Sequence, residues 1–244
     1  MNLVDIIIFG TATLTAAISS TLGMAGGLVL LSVMTLFMDL REAIPLHGFA
    51  QLCSNIGRVS NFRKNIHWGI TLRFSLLVLP GAYLGIRAAG LTNKFILEII
   101  VSLVMLWIVH SKPKTNSFRH HHNFFIILGF LSSFIGVIAG ATGPLIVPFF
   151  MGIGLEKKEM VATKASCQSI VQFIKLPAFF FFAHVQLLSY TKFFTLFIIA
   201  AIIGSWLGKK IIDRLSEDKY EFMIRWSVTL LALNQIIRAG LHFA

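Results

Sequence analysis

Two rows of polar residues interrupt an otherwise apolar chain. His47, Gln51, Asn55 and Arg58 are spaced by four, four and three residues, a pattern that places all four side chains on one face of a single helix. Lys164, Gln168, Gln172 and Lys175 repeat those intervals further along, again on one helical face. Neither row contains an acid. Ionisable residues at membrane depth are costly and mark substrate or ion pathways by default. A pair of fixed cations, Arg58 and Lys175, with amides between them and no internal counter-charge, predicts the binding of a small anion. The competing interpretation is structural: the two cations lie near helix ends and snorkel to the interface, while the amides glue helices together.

Glycine-rich breaks supply a second chemical signal. Gly23-x-x-Gly26-Gly27 and Gly140-x-x-Gly143-Pro144 each precede a short apolar stretch. Glycine permits unusual backbone conformations, and Pro144 suits the first turn of a helix, where a missing N–H costs nothing. Each break is therefore expected to leave a helix N-terminus inside the membrane, whose free N–H groups bind anions. Close packing through small residues is the alternative. The predicted substrate-contacting set is Gly23, Gly26, Gly27, His47, Gln51, Asn55, Arg58, Gly140, Gly143, Pro144, Lys164, Gln168, Gln172 and Lys175.

The other polar features have plainer explanations. Asp39-x-x-Glu42 and Glu156-x-x-Glu159 have the form of helix-start caps. Arg119-His120-His121-His122 has no orienting carboxylate nearby and is read as a solvated loop rather than a metal site. Cys53 and Cys167 are expected as free thiols, and no metal or cofactor is expected. Gly81-x-x-x-Gly85 and Gly204-x-x-x-Gly208 have the spacing of close helix contacts. Trp68, Trp107 and Trp226 are placed near helix ends, as in an aromatic belt.

The elements that must position these residues are helices in a bilayer. The chain has 244 residues, is 56% hydrophobic, and carries 10 acids against 21 Lys plus Arg, too apolar a composition for a soluble domain of this length. Its net charge of +11 is distributed in short connections between apolar segments rather than on one basic face, which argues against nucleic acid and fits positive-inside loops. The first residues lack the basic region of a secretory signal, so the first apolar segment is expected to stay as a transmembrane helix.

The two polar rows fall in register when Gly23 to Phe62 is placed over Gly140 to Phe179 at a constant offset of 117. Met34 then lies over Met151, Glu42 over Glu159, Gln51 over Gln168, Arg58 over Lys175 and Phe62 over Phe179. After a six-residue shift, Gly81-Ala-Tyr-Leu-Gly85 matches Gly204-Ser-Trp-Leu-Gly208. The expected organisation is an all-α, multi-pass protein of the inner (plasma) membrane with two tandem repeats, 1–111 and 124–244, joined by a linker, 112–123.

Each repeat reads as five helical pieces: Leu3 to Thr21, Gly26 to Met38, Glu42 to Phe62, Trp68 to Ala89 and Lys94 to Val109, then Phe124 to Ile138, Pro144 to Ile153, Glu159 to Phe182, Thr191 to Ile211 and Lys219 to Arg238. If all ten cross, Arg63, Lys64, Lys112, Lys114, Arg119, Lys157, Lys158, Lys209, Lys210, Arg214 and Lys219 share one side. Arg41, Arg87, Lys94, Lys192 and Arg238 then lie opposite. An odd number of crossings per unit inverts the second repeat relative to the first. The two short pieces are alternatively re-entrant, leaving eight full spans.

At the Gly-rich breaks the sequence resembles the sulfite exporter TauE/SafE family of membrane permeases, also called the toluene sulfonate uptake family. The family pattern resembles Gly-x-Gly-Gly-Gly followed by aliphatics and a proline. Gly23, Gly26, Gly27 and Leu28 to Leu31 match it, and Gly140-Ala-Thr-Gly143-Pro144-Leu145-Ile146-Val147-Pro148 matches it more fully. Ala162-Thr163-Lys164-Ala165 and Lys175 also resemble the family's second-copy helix. Ala25 replaces a usual glycine, Ser32 a proline, and His67-Trp68 stands where Asp-Trp is common. The resemblance implies export or uptake of small sulfur-containing anions such as sulfite, thiosulfate or organosulfonates without ATP. The alternatives are an assembly subunit or an intramembrane enzyme. The latter would need a convergent nucleophile, acid pair or metal set; none is evident, and His47 and His184 are isolated.

Overall fold

A computed structural model describes residues 2–24, 26–88, 91, 93–110, 123–139, 143–183 and 190–243. All ten expected helical pieces are present: α1 (Leu3–Leu22), α2 (Gly26–Met34), α3 (Leu40–Asn61), α4 (Trp68–Ser75) continuing as α5 (Val78–Ala88), α6 (Lys94–His110), α7 (Phe124–Ala139), α8 (Gly143–Met151), α9 (Lys157–Ala183), α10 (Thr191–Arg214) and α11 (Glu217–Phe243). A one-turn 3₁₀ segment, Arg63–Asn65, joins α3 to α4. The single helix expected over Trp68 to Ala89 is broken between α4 and α5. Pro80 has no N–H to offer the carbonyl of Leu76, and the ladder resumes with Gly81 N–H donating to Leu77.

Three helices, Leu3–Leu22, the combined Trp68–Ala88 and Thr191–Arg214, are long and apolar enough to cross a membrane by length and composition. The short helices α2 and α8 have nine residues each, about 13.5 Å of rise against a hydrocarbon core of roughly 30 Å. Neither crosses the bilayer unaided.

Side-chain pairings define the helix directions. Asp5 is paired with Lys192, and Glu42 with Tyr190, so α1, α3 and α10 begin at the same end. Phe49 packs on Phe194 at 4.6 Å between ring centroids, and Gly57 abuts Ser205 further along. These three helices are parallel. The second trio, α4–α5, α7 and α9, is also parallel: His67 meets Glu159 at 3.0 Å, Gly129 abuts Phe74, and Gly85 abuts Phe134. Between the trios, Gly48 of α3 lies against Gln172 and Leu176, whereas Lys164 reaches back to Gly23 beyond the end of α1. The trios therefore run in opposite directions. Outside them, α6 and α11 are antiparallel, with Ser102 bonding Gln235 at 2.8 Å and Arg225 bonding the Val109 carbonyl at 2.7 Å.

Glycines set the closest approaches. A β-carbon on Gly204 would lie 2.5 Å from the Thr13 carbonyl oxygen and 2.6 Å from Ala16 Cβ; one on Gly208 would lie 2.6 Å from the Ala17 carbonyl oxygen. Gly81 and Gly85 press in the same way on α7, at Phe130, Ser133 and Phe134. Both Gly-x-x-x-Gly pairs are thus helix contacts, each joining a helix of one half to the first helix of the other half. Apolar clusters close the bundle around them, one built from Ile8, Ala12, Leu30, Met34, Leu46 and Phe197, the other including Phe74, Phe125, Phe150, Val161 and Ile224.

The proposed caps hold only in part. Asp39 is the N-cap of α3 but makes no side-chain cap bond. Glu159 does accept from the Glu156 N–H at 3.1 Å, while its other oxygen holds His67. Asn2 and Asp5 form a reciprocal capping box on α1. Trp68 and Trp107 lie near helix ends, but Trp226 is well inside α11, where its ring is tilted against that of Phe222. Both cysteines are free. The His120 to His122 run and His184 lie outside the described residues.

Candidate functional site

Of the long helices, α3, α9 and α11 are the least apolar, and α3 and α9 are the two that carry the polar rows. The rows themselves face away from lipid. Arg58 is 1% exposed and Lys164 0%, which excludes snorkelling for these two cations: a snorkelling head group would be wet. His47, Asn55, Gln168, Gln172 and Lys175 are buried as well, and Gln51 is half-buried. Because the two helices are antiparallel, the rows confront each other head to tail. Lys175 acts electrostatically on His47, and Arg58 on Lys164, with the amides between the two pairs.

The cations find neutral acceptors. Arg58 spreads its donors over the Ser54 carbonyl at 3.2 Å, the Ser19 carbonyl at 3.3 Å and the Asn55 side-chain oxygen. Lys164 Nζ donates to the carbonyl of Gly23. Lys175 Nζ donates to the carbonyl of Gly136 at 2.6 Å. Ser19 and Gly136 each lie 39 residues before the cation they receive. Among the described residues, no carboxylate bonds Arg58 or Lys164. Both side chains are thus buried with dipoles as their bonding partners and no counter-charge among the described residues.

The first Gly-rich break has a different role from the one its N–H groups suggested. Gly23 ends α1 with φ of 72°, a left-handed conformation that only glycine adopts cheaply, and its N–H returns to the Ser19 carbonyl at 2.8 Å. That turn aims the Gly23 carbonyl, not an N–H, at the site, where it receives Lys164. A β-carbon on Gly26 would clash with the Thr15 carbonyl, so this residue sets the tightness of the α1–α2 hairpin. Gly27 faces the α3 row, with a β-carbon position 3.0 Å from Gln51 Oε1, as Gly23 faces Lys164 of the α9 row. The His47 ring bonds the Gly27 backbone, leaving Nε2 buried and, among the described residues, without a partner. In the second half, Gly143 and Pro144 open α8, as expected for a proline in a first turn. Gly140 lies outside the described residues.

Hydroxyl groups complete the surroundings. Thr15, Ser19, Ser20 and Thr21 are buried along the end of α1, Ser54 beside Arg58, and Ser132 and Ser133 on α7. Among the described residues, the hydroxyls of Ser20, Ser54 and Ser132 have no partner. None of these belongs to the predicted set. The available signal was the density of Ser and Thr in an apolar span, which marks helix contacts as readily as a site.

A family model described as sulfite exporter TauE/SafE matches residues 8–234. No curated protein and no solved structure matches the chain. The match runs from α1 into α11 and takes in both breaks and both polar rows, so the chain belongs to the sulfite exporter TauE/SafE family and is a membrane transporter of that type.

Proposed function

We propose that this protein is a secondary transporter that moves a small anion, a sulfur-containing oxyanion or organosulfonate such as sulfite, by alternating access between two inverted repeats, 1–111 and 124–244, joined by 112–123. The observation that carries the reading is the pair of opposed, buried polar rows whose cations Arg58 and Lys164 have, among the described residues, only neutral partners. An anion entering between α3 and α9 would provide the missing counter-charge. His47 Nε2, Gln51, Asn55, Gln168 and Gln172 would bond its oxygens, and the buried hydroxyls would line its path.

The inverted arrangement is supported by the opposed directions of the two helix trios and by the equal 39-residue separations of Arg58 from Ser19 and Lys175 from Gly136. Each cation is bonded to the first helix of its own half, so transfer of that bond to an anion would loosen α3 from α1 and α9 from α7. Such a two-state contact within each repeat is the kind of switch that alternating access requires. Arg63, Lys64, Lys157, Lys158, Lys209, Lys210, Arg214 and Lys219 cluster where α3 and α10 end and α4, α9 and α11 begin. The positive-inside rule makes this end cytoplasmic in an inner membrane.

Flux into proteoliposomes, with sulfite, thiosulfate, sulfoacetate and chloride compared, tests the reading. Arg58→Ala and Lys175→Ala are expected to abolish uptake at normal expression. Failure with every anion, or full transport by both variants, would overturn it.

A further inference from the structure

Away from the polar seam, α3 and α10 enclose a groove of about 760 Å³ that opens outward. Its floor is small: Gly57 meets α10 so closely that a β-carbon there would lie 2.6 Å from Ser205 Oγ. Ile56, Ile202 and Trp206 form its walls and are 53%, 63% and 50% exposed. On α3 it extends from Phe49 to Asn61, about 18 Å at 1.5 Å per residue, close to the depth of one leaflet of a roughly 30 Å core. A trough of that length, apolar along its walls, fits one extended hydrocarbon chain.

Its mouth is not apolar. Ser60 and Asn61 lie at the end where α3 stops, and one turn beyond Trp206 come two lysines. Lys210 Nζ sits 3.5 Å from the Trp206 ring centroid, and Lys209 Nζ 5.9 Å from that of Phe62, the residue capping α3. Trp206, a wall of the groove, thus holds the Lys210 ammonium, and Phe62, the residue after Asn61, holds that of Lys209. Among the described residues, no carboxylate pairs with either lysine, whereas nearby Lys158 is neutralised by Asp213 at 2.7 Å. Arg63 and Lys64 follow directly on the α3 side.

We propose that the groove holds an acyl chain of an anionic phospholipid whose headgroup phosphate is gripped by Lys209 and Lys210. Charge complementarity selects the headgroup, and the length and apolarity of the trough select the chain. A juxtamembrane lysine contributes about a fivefold preference for an anionic lipid surface. Because the groove floor is α3 itself, a bound lipid would brace the back of the helix that carries His47, Gln51, Asn55 and Arg58.

The test is native mass spectrometry of the purified full chain with equal amounts of dioleoyl phosphatidylglycerol and dioleoyl phosphatidylcholine. The phosphatidylglycerol adduct is expected to dominate by at least fivefold. Lys209→Gln with Lys210→Gln should erase that preference. Arg87→Gln, at the opposite end beside Tyr83, should keep it. Ile202→Trp, which fills the trough and spares both lysines, should lose both lipids. Equal binding of the two lipids by the unaltered chain overturns the proposal and requires no variant to fold. So does an equal loss in Arg87→Gln, or a lipid-free dimer that Ile202→Trp dissociates, which would make the occupant a second copy of the chain.

Discussion

Replacing Lys164 by Met separates the cost of the buried charge from its use. The ammonium is fully buried, bonded to the Gly23 carbonyl and opposed to Arg58. Its removal leaves that carbonyl without its donor, a loss of about 1–3 kcal/mol. Against this, the fold no longer desolvates an ion, which costs several kcal/mol even after relaxation, and no longer sets it against a second cation. The melting temperature of Lys164→Met should therefore equal or exceed that of the unaltered protein. Transport should move the other way. A unit charge about 4 Å from a bound anion contributes about 4 kcal/mol at an effective dielectric of about 20. Losing it weakens binding by about a hundredfold to a thousandfold. The assay is initial-rate sulfite flux in proteoliposomes over a concentration series, with thermal unfolding followed on the same preparation. Wild-type flux in a stable Lys164→Met protein would refute the reasoning, and so would a variant that unfolds, since the lysine would then be structural.

Two further substitutions probe the scaffold. Gly204→Val places a β-carbon 2.5 Å from the Thr13 carbonyl oxygen and should destabilise by about 1–3 kcal/mol or more through overpacking. Gly10→Ala, with nothing within 4 Å, should be neutral or gain up to about 1 kcal/mol of helix stability; equal thermal shifts for the two would count against the close α1–α10 contact. Gly23→Ala forces an L residue into φ of 72° at about 1–2 kcal/mol. Because it also shifts the carbonyl that holds Lys164, it should lower flux by more than its change in melting temperature accounts for; flux and stability falling in proportion would deny that carbonyl a role.

The boundaries of the long helices were legible because hydropathy and the Gly, Pro and charged breaks are local signals. Leu3–Leu22, Phe124–Ala139 and Thr191–Arg214 lie within a few residues of their expected ends. The break at Pro80 was equally local in cause, through the lost bond to Leu76, but the surrounding run of apolar residues concealed it. The four-four-three spacing placed each polar row on one face, and the burial of Arg58 and Lys164 settled which of two environments that face meets.

The sequence by itself determined a membrane-embedded helical chain, the four-four-three spacing of each polar row, and the absence of acids along both rows, since each depends only on composition and on periods of a few residues. Tertiary structure decided the rest. It set α3 antiparallel to α9, paired α10 with α1 and α5 with α7, and turned the Gly23 carbonyl rather than an N–H toward Lys164. A helical pattern specifies which face must be covered. What covers it depends on shape: on where a missing β-carbon lets two backbones meet, and on which carbonyl a single left-handed residue leaves pointing inward.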